Sequence, residues 1–497
     1  MKKAMKKLMA ALLAVAMVCA MAIPAFAEGA GAAGTGTTYT ITINNPVGTY
    51  EAYQIFSGDL EGNVLSNIKW GTGVSVDGQT HFGDAKDKAA ALNNSNVKDF
   101  AEKVSSYLAT PSGTYAAGKI TGLSAGYYLV KNSLVGEHET YTSFILKVVQ
   151  DVDVTPKGDT PSLEKKVKDI NDTTDDTTSS WQDSADHDIG DKVPFQLTAK
   201  IASNFDDYKT YKFVFHDVQS AGLDFLENTV KVKVGNTELT SDQYKVITTD
   251  LDDDCTFHVV IEDLKKIDSA AADAKVVVEY ESKLNTNAVI GSKGNPNEAY
   301  LEYSNNPYDT TGTTTTPHDK VTVFTFKVVA NKIDGATKDK LTGAAFALYK
   351  KDYNGIWNLV ALNNATESDD GVYTIVEKDK TEFKWVGLDD GTYKIKEVIT
   401  PAGYNTIDDQ IFTVTADHDV LAADPKLTGL SGNPETGAIQ FSSDKDKGSL
   451  STTIENNRGT TLPGTGGIGT TIFYVVGGGL MVAAAILLIT KKRMENR

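Results

Sequence analysis

The chain has 497 residues, with 48 basic against 66 acidic side chains and a net charge of −18. A balance this acidic excludes nucleic acid as a partner and points to a solvated exterior. The cysteines, Cys19 and Cys255, are too few for a disulfide framework.

Residues 1–27 read as a secretory signal. Lys2, Lys3, Lys6 and Lys7 form a basic n-region, residues 8–23 an apolar h-region, and Ala25-Phe26-Ala27 a small-x-small site cleaved after Ala27. Cys19 leaves with it, so the mature chain holds Cys255 alone and can form no internal disulfide. Without those four lysines, and without the four bases and one acid that follow Gly466, 40 bases face 65 acids, a net −25.

From residue 28 onward strand signals dominate, rich in β-branched and aromatic residues and punctuated by Gly, Asn and Asp. The run 321–329 (VTVFTFKVV) reads as one such strand. Helical periodicity is confined to short stretches such as 84–92 and 96–108. The expected fold is all-β: tandem immunoglobulin-like β-sandwich domains with short helical insertions. The Pro-containing stretch 155–161 and the Thr/Gly stretch 310–317 read as linkers. They divide the chain into 28–160, 161–319 and 320–460, with 461–497 as a C-terminal signal.

Gly122-Leu123-Ser124-Ala125-Gly126-Tyr127-Tyr128-Leu129 echoes Gly387-Leu388-Asp389-Asp390-Gly391-Thr392-Tyr393-Lys394, each a turn feeding a strand. The first also fits G-x-S-x-G, but a nucleophile elbow needs a helix after the serine, where a strand is expected here.

Residues two apart on a strand share a face. Phe326, Val328, Ala330 and Lys332 form one such set. Tyr393, Ile395 and Glu397 form another, and Ile454 and Asn456 a third. Each puts a polar group in line with apolar ones. Burial lowers a lysine pKa and raises a carboxyl pKa. A neutral amine can then attack an asparagine carbonyl, with a protonated acid assisting and ammonia leaving. Parity alone favours the plainer reading, half-buried strands whose charged tips reach solvent.

Lys332-Ile333-Asp334, 341–346 (LTGAAF), Tyr393 to Glu397 and 401–404 (PAGY) resemble the B-type domain of collagen-adhesin-like surface proteins. The resemblance implies a crosslink between Lys332 and Asn456 with Glu397 as catalytic acid; Lys327 and Asn457 are second choices. The middle domain resembles the A-type partner found in Gram-positive pilins. In it Lys165 lies on the face of Leu163 and Val167, Asp217 on that of Phe213 and Phe215, and 297–305 closes the domain. The implied roles are Lys165 as nucleophile, Asp217 as acid and Asn297, or Asn305 at the same parity, as acceptor. The first domain has Asn132 at the glutamate position, so no such bond is expected there.

Val152-Asp153-Val154-Thr155-Pro156-Lys157 resembles the pilin motif, with Thr155 and Val148 where its Tyr and Trp would stand. At the C-terminus Leu462-Pro463-Gly464-Thr465-Gly466 precedes an apolar span, residues 470–490, and the basic Lys491-Lys492-Arg493. This resembles the LPxTG sorting signal of sortase-anchored surface proteins. The resemblance implies a sortase thioester on Thr465, which Lys157 of the next subunit attacks.

The whole resembles a sortase-assembled backbone pilin: secreted, held briefly at the membrane, then anchored to the wall. Implied partners are a pilin sortase, a housekeeping sortase, further copies joined head to tail, accessory pilins and peptidoglycan. A monomeric wall-anchored adhesin is the second reading. An enzyme is not expected, since the seven histidines show no HExxH spacing. No cofactor or metal is expected either, and the acidic stretch 250–254 lacks the calcium-loop glycine and reads as a solvated turn.

Overall fold

The structure is a computed structural model describing residues 37–459 and 468–495, apart from Asn94, residues 175–179 and Ala438. The signal with Ala27 and the motif from Leu462 to Gly466 lie outside these residues.

The first unit packs two four-stranded sheets. Tyr39–Ile43 sits between Lys119–Leu123 and Val152–Val154 in one, and Thr49–Glu61 between Val64–Trp70 and Gly126–Leu134 in the other. Residues along the start of Thr49–Glu61 are buried almost continuously because both its faces are covered. Tyr50 and Ala52 meet the first sheet, while Tyr53 and Ile55 meet helices Val76–Phe82, Ala85–Ala91 and Val97–Ser105. The two expected helices appear, Ala85–Ala91 capped by the Asp84 side chain. Helix Val76–Phe82, capped by Ser75, escapes the sequence reading because Gly78 and the β-branched Val76 and Thr80 give it low helix propensity.

The second unit is a sandwich of a seven-stranded and a five-stranded sheet, the third of a four-stranded and a five-stranded sheet. Each has one contiguous apolar core. The run 321–329 is not one strand. Asp319–Phe324 pairs with Asn295–Ser304 in the second unit, whereas Phe326–Asp334 opens the third. Val321 and Val323 feed the second core and Phe324 and Phe326 the third, so the chain changes sheets at buried Thr325. The stretch 310–317 is likewise no linker, because Thr313–Thr315 pairs with Glu302–Ser304. The echo in the sequence is structural: Gly122 and Gly387 both carry positive φ, 80° and 84°, at the end of one strand, and another strand follows two residues later.

The second and third units share a polar interface. Lys350, 5% exposed, reaches Asp172 at 2.9 Å, Asp188 at 2.8 Å and fully buried Asp389 at 2.6 Å. A Cβ at Gly387 would lie 2.5 Å from Ile189, so glycine is required there by contact as well as by φ. Asp186 is buried beside Asp390, Asp169 and Asp389, with Lys350 and His418 beside Asp390. Burial, then those three carboxylates, push the Asp186 carboxyl well above the usual range. The folded protein therefore holds this proton more tightly than the unfolded chain does. The group costs nothing in acid and costs stability as pH rises above the ordinary carboxylate range. Asp186→Asn is expected to raise the melting temperature near neutral pH, by about 2–4 °C per kcal/mol recovered. Calorimetry should find no gain at about pH 3, below the ordinary carboxylate pKa of about 3.9, where Asp186 is protonated in the folded and the unfolded chain.

Candidate crosslinking and polymerisation sites

In the second unit Lys165 lies on the first strand, Ser162–Val167, and Asn297 on Asn295–Ser304 of the facing sheet. Asp217 is on the neighbouring strand Phe213–Gln219, in register with Ala299. All three are 0% exposed. Lys165 Nζ donates to Asp217 Oδ2 at 2.5 Å and to the Tyr280 hydroxyl at 3.0 Å. That hydroxyl donates to Asp217 Oδ2 at 2.7 Å and accepts from Asn297 Nδ2 at 2.9 Å. Amine, acid and amide thus converge on one phenol.

Burial pushes the Lys165 amine down and the Asp217 carboxyl up, each opposed by the other's charge. Both shifts favour the neutral pair, amine beside acid, because in an apolar core the charges lose more solvation than their attraction returns. Asp217 Oδ1 and Asn297 Oδ1 are buried without partners. A proton on the carboxyl would supply the donor that both oxygens lack.

The third unit repeats the arrangement with different strands. Phe326–Asp334 and Ser449–Asn456 run parallel, placing Lys332 opposite Ile454 and Asp334 opposite Asn456. Glu397 comes from Gly391–Ile399 in the other sheet. Lys332, Glu397 and Asn456 are 1%, 5% and 0% exposed. Asn456 Nδ2 donates to Glu397 Oε2 at 3.0 Å, which also accepts from the Ile407 amide at 3.1 Å. Lys332 Nζ donates to the carbonyls of Ile333 and Ile454. Burial pushes its pKa down to about 8, against the pull of Glu397, Asp334 and Glu455. Here too the second acid oxygen, Glu397 Oε1, and the amide oxygen, Asn456 Oδ1, are buried without partners.

The alternatives lie elsewhere. Lys327 is half-buried, on the side of its strand opposite Phe326 and Val328, and Asn457 is exposed. Asn305 lies beyond its strand's end, where its carbonyl accepts from the Tyr141 amide of the first unit. In that unit Asn132 Oδ1 accepts from the Thr142 amide and hydroxyl, both at 2.7 Å, and Nδ2 donates to the Val47 carbonyl.

Sequence reasoning missed Tyr280, although its alternation with Val276 and Val278 puts it on a core face. It also took 297–305 as the closing segment, whereas Asp319–Phe324 closes the second sandwich. Lys165 and Asn297 therefore span the two sheets, while Lys332 and Asn456 lie on adjacent first and last strands.

Lys157 is exposed, three residues after Val152–Val154 on the edge of the first unit's sheet. Asp159, two residues on, fixes the connection: its Oδ2 accepts from the Ser203 amide at 2.8 Å. Thr465 lies outside the described residues. Helix Ile468–Glu495 contains an apolar stretch, Val475–Lys492, of mean hydropathy 1.7.

Tyr280→Phe should lower stability by about 1–3 kcal/mol, because the amide nitrogen on Asn297 Cγ, free or crosslinked, loses its acceptor and Asp217 a donor in a dry core. Lys327→Ala should change it by under ~0.5 kcal/mol. Chemical denaturation of the two variants checks the contrast.

Family models match parts of the second and third units and the C-terminus. A family model described as Gram-positive pilin backbone subunit 2, Cna-B-like domain, matches residues 189–307. That description falls on the unit read above as A-type. A prealbumin-like fold domain matches 326–426, and the LPXTG cell wall anchor motif matches 454–496. The trypsin-resistant surface T6 protein of Streptococcus pyogenes serotype M6 is 25% identical over 410 residues, 74% of this chain and 70% of that protein. The solved T6 backbone pilin of serotype M6 Streptococcus pyogenes, a modular three-domain structure, aligns with a TM-score of 0.54 at 18% identity. The alignment covers 86% of this chain and all of that one, a likeness of fold. With a match to a Gram-positive pilin backbone domain at its centre and to a wall-anchor motif behind its last sandwich, the chain is similar to the LPXTG-anchored backbone pilins of Gram-positive bacteria.

Proposed function

We propose that the chain is the structural backbone subunit of a covalently polymerised pilus, joined by sortase between Lys157 and Thr465 of neighbouring subunits and stiffened by internal Lys–Asn bonds. The observation that carries the stiffening is the repeated trio of buried lysine, acid and asparagine, with the same two oxygens left unpartnered in each. In each trio the neutral amine attacks the asparagine Cγ. The Nζ–Cγ bond forms, the Cγ–Nδ2 bond breaks, and ammonia leaves. Asp217 and Glu397 protonate the amide oxygen and pass the lysine proton to the departing nitrogen. The chemistry turns over once and acts on the chain itself.

Polymerisation follows from exposure at one end and the sorting signal at the other. A pilin sortase cysteine displaces Gly466 from Thr465 as a thioester. Lys157 of the next subunit attacks the acyl carbon, an amide forms and the thiol is freed. Head-to-tail repetition is a heterologous contact that does not close. The apolar helix holds the chain at the membrane until the anchor is cut. A housekeeping sortase then transfers the polymer to peptidoglycan, with accessory pilins as added partners. A fibre loaded in single file pulls on every sandwich, and bonds from first strand to last or from sheet to sheet keep strands from peeling.

Intact mass of the folded protein should fall short of the sequence mass by two ammonia. Glu397→Ala should restore one of them and Asp217→Ala the other, whereas an unshifted wild-type mass removes the crosslinks. On immunoblots of wall extracts boiled in SDS, the native chain should give a high-mass ladder and Lys157→Ala a monomer. A ladder surviving the mutation moves the link to another lysine, and monomer in both samples favours the anchored adhesin.

A further inference from the structure

On the outer face of the second unit's larger sheet, strand pairing sets His216 directly opposite His258, their ring centroids 4.0 Å apart. The turn preceding Phe257–Ile261 adds Asp253 and Cys255. One ligand atom from each of these four side chains lies within 4.8 Å of all the others. We propose that His216, Asp253, Cys255 and His258 form a binding site for a zinc(II) ion.

The donor set selects the ion. Two imidazoles, a thiolate and one carboxylate suit a borderline-soft metal in four-coordination, whereas calcium and magnesium take oxygen shells. Spacing agrees as well. Bonds of about 2.0–2.3 Å in a tetrahedron put neighbouring donors about 3.3–3.8 Å apart. Cys255 Sγ is 3.7 Å from His216 Nδ1. Asp253 Oδ2 sits at 2.9 Å from both His216 Nδ1 and His258 Nε2, hydrogen-bonded to them, and needs to retreat by less than about 1 Å.

Independent of the donors, the surroundings are those of a supported metal ligand. Glu302 Oε2 lies 3.3 Å from His216 Nε2, the nitrogen facing away from the cluster. Lys212 in turn bonds Glu302 at 3.1 Å. A carboxylate behind a ligating imidazole sets its tautomer, with Nε2–H donating to Glu302 and the Nδ1 lone pair turned to the metal. Tyr300 stacks on the His216 ring at 4.4 Å and 9°, and His318 stacks on Tyr300. Asp250, Asp252 and Asp254 flank the site and raise the local cation concentration. The acidic stretch that makes no calcium loop therefore serves as the approach to a mixed-donor site. On binding, the Cys255 thiol proton leaves to solvent as the Zn–S bond forms, and the imidazoles bind neutral. Residues 216 and 217 point to opposite faces of one strand, so the metal would clamp from outside the strand that carries Asp217 inside.

The test is a cobalt(II) titration of the folded, chelator-stripped chain, followed by zinc displacement. One equivalent of cobalt should saturate a near-ultraviolet thiolate-to-metal band, and zinc should abolish it. Cys255→Ser should remove the band. Glu302→Gln should weaken binding about 10–100-fold, as loss of a carboxylate behind a ligand does. His318→Gln should leave affinity within a few-fold. Native mass spectrometry should find one zinc per wild-type chain, a readout that stands even if a variant misfolds. No thiolate band and no retained zinc in the wild type, or a band surviving Cys255→Ser, overturns the proposal.

Discussion

The arrangement rests on the cost of burying a lysine ammonium. In a sandwich core a lone charge is penalised by several kcal/mol, and a nearby carboxylate returns only part of that. Lys165 meets the penalty with Asp217 and the Tyr280 phenol, and both groups lean toward neutrality. Lys332 meets it with two backbone carbonyls and a depressed pKa. Lys350 shows the opposite outcome. Three aspartates around one ammonium hold it firmly charged, and it acts as a clamp between units instead of a nucleophile. Direct ion pairing separates the three lysines: Lys350 touches three carboxylates, Lys165 one, and Lys332 two backbone carbonyls.

Strand order determines what each trio can tie together. In the third unit the first and last strands are parallel neighbours, so lysine and asparagine belong to one sheet and the acid reaches across from the other. In the second unit the lysine's strand and the asparagine's strand lie in different sheets, with the acid beside the asparagine. A bond in the third unit would lock chain ends to each other, and one in the second would lock two layers. Polar contacts through Asp183, Ser184 and Lys350 join these two units.

Much of this was legible in the residues. Period-two alternation marked Lys165, Asp217, Glu397, Lys332 and Asn456 as polar groups on apolar faces, and all five are buried. Helix caps at Asp84 and Ser75 are local signals too, although only the alanine- and lysine-rich helix after Asp84 is readable from its propensity. Parity failed where two strands meet without a turn. The run 321–329 has uninterrupted strand propensity, and nothing local reports that its two halves feed different cores. The Thr-rich stretch 310–317 looked like a linker because a short edge strand needs no apolar face.

By itself the sequence determined the all-β class, the C-terminal anchor motif and the faces of the crosslink candidates, because each depends on composition or near-neighbour spacing. Only the tertiary structure decided that Tyr280 joins Lys165, Asp217 and Asn297, that the strands of Lys332 and Asn456 run side by side, and that His216 stands opposite His258. Those are pairings between strands tens of residues apart. Register between distant strands is set by how whole faces pack, and no local pattern encodes it.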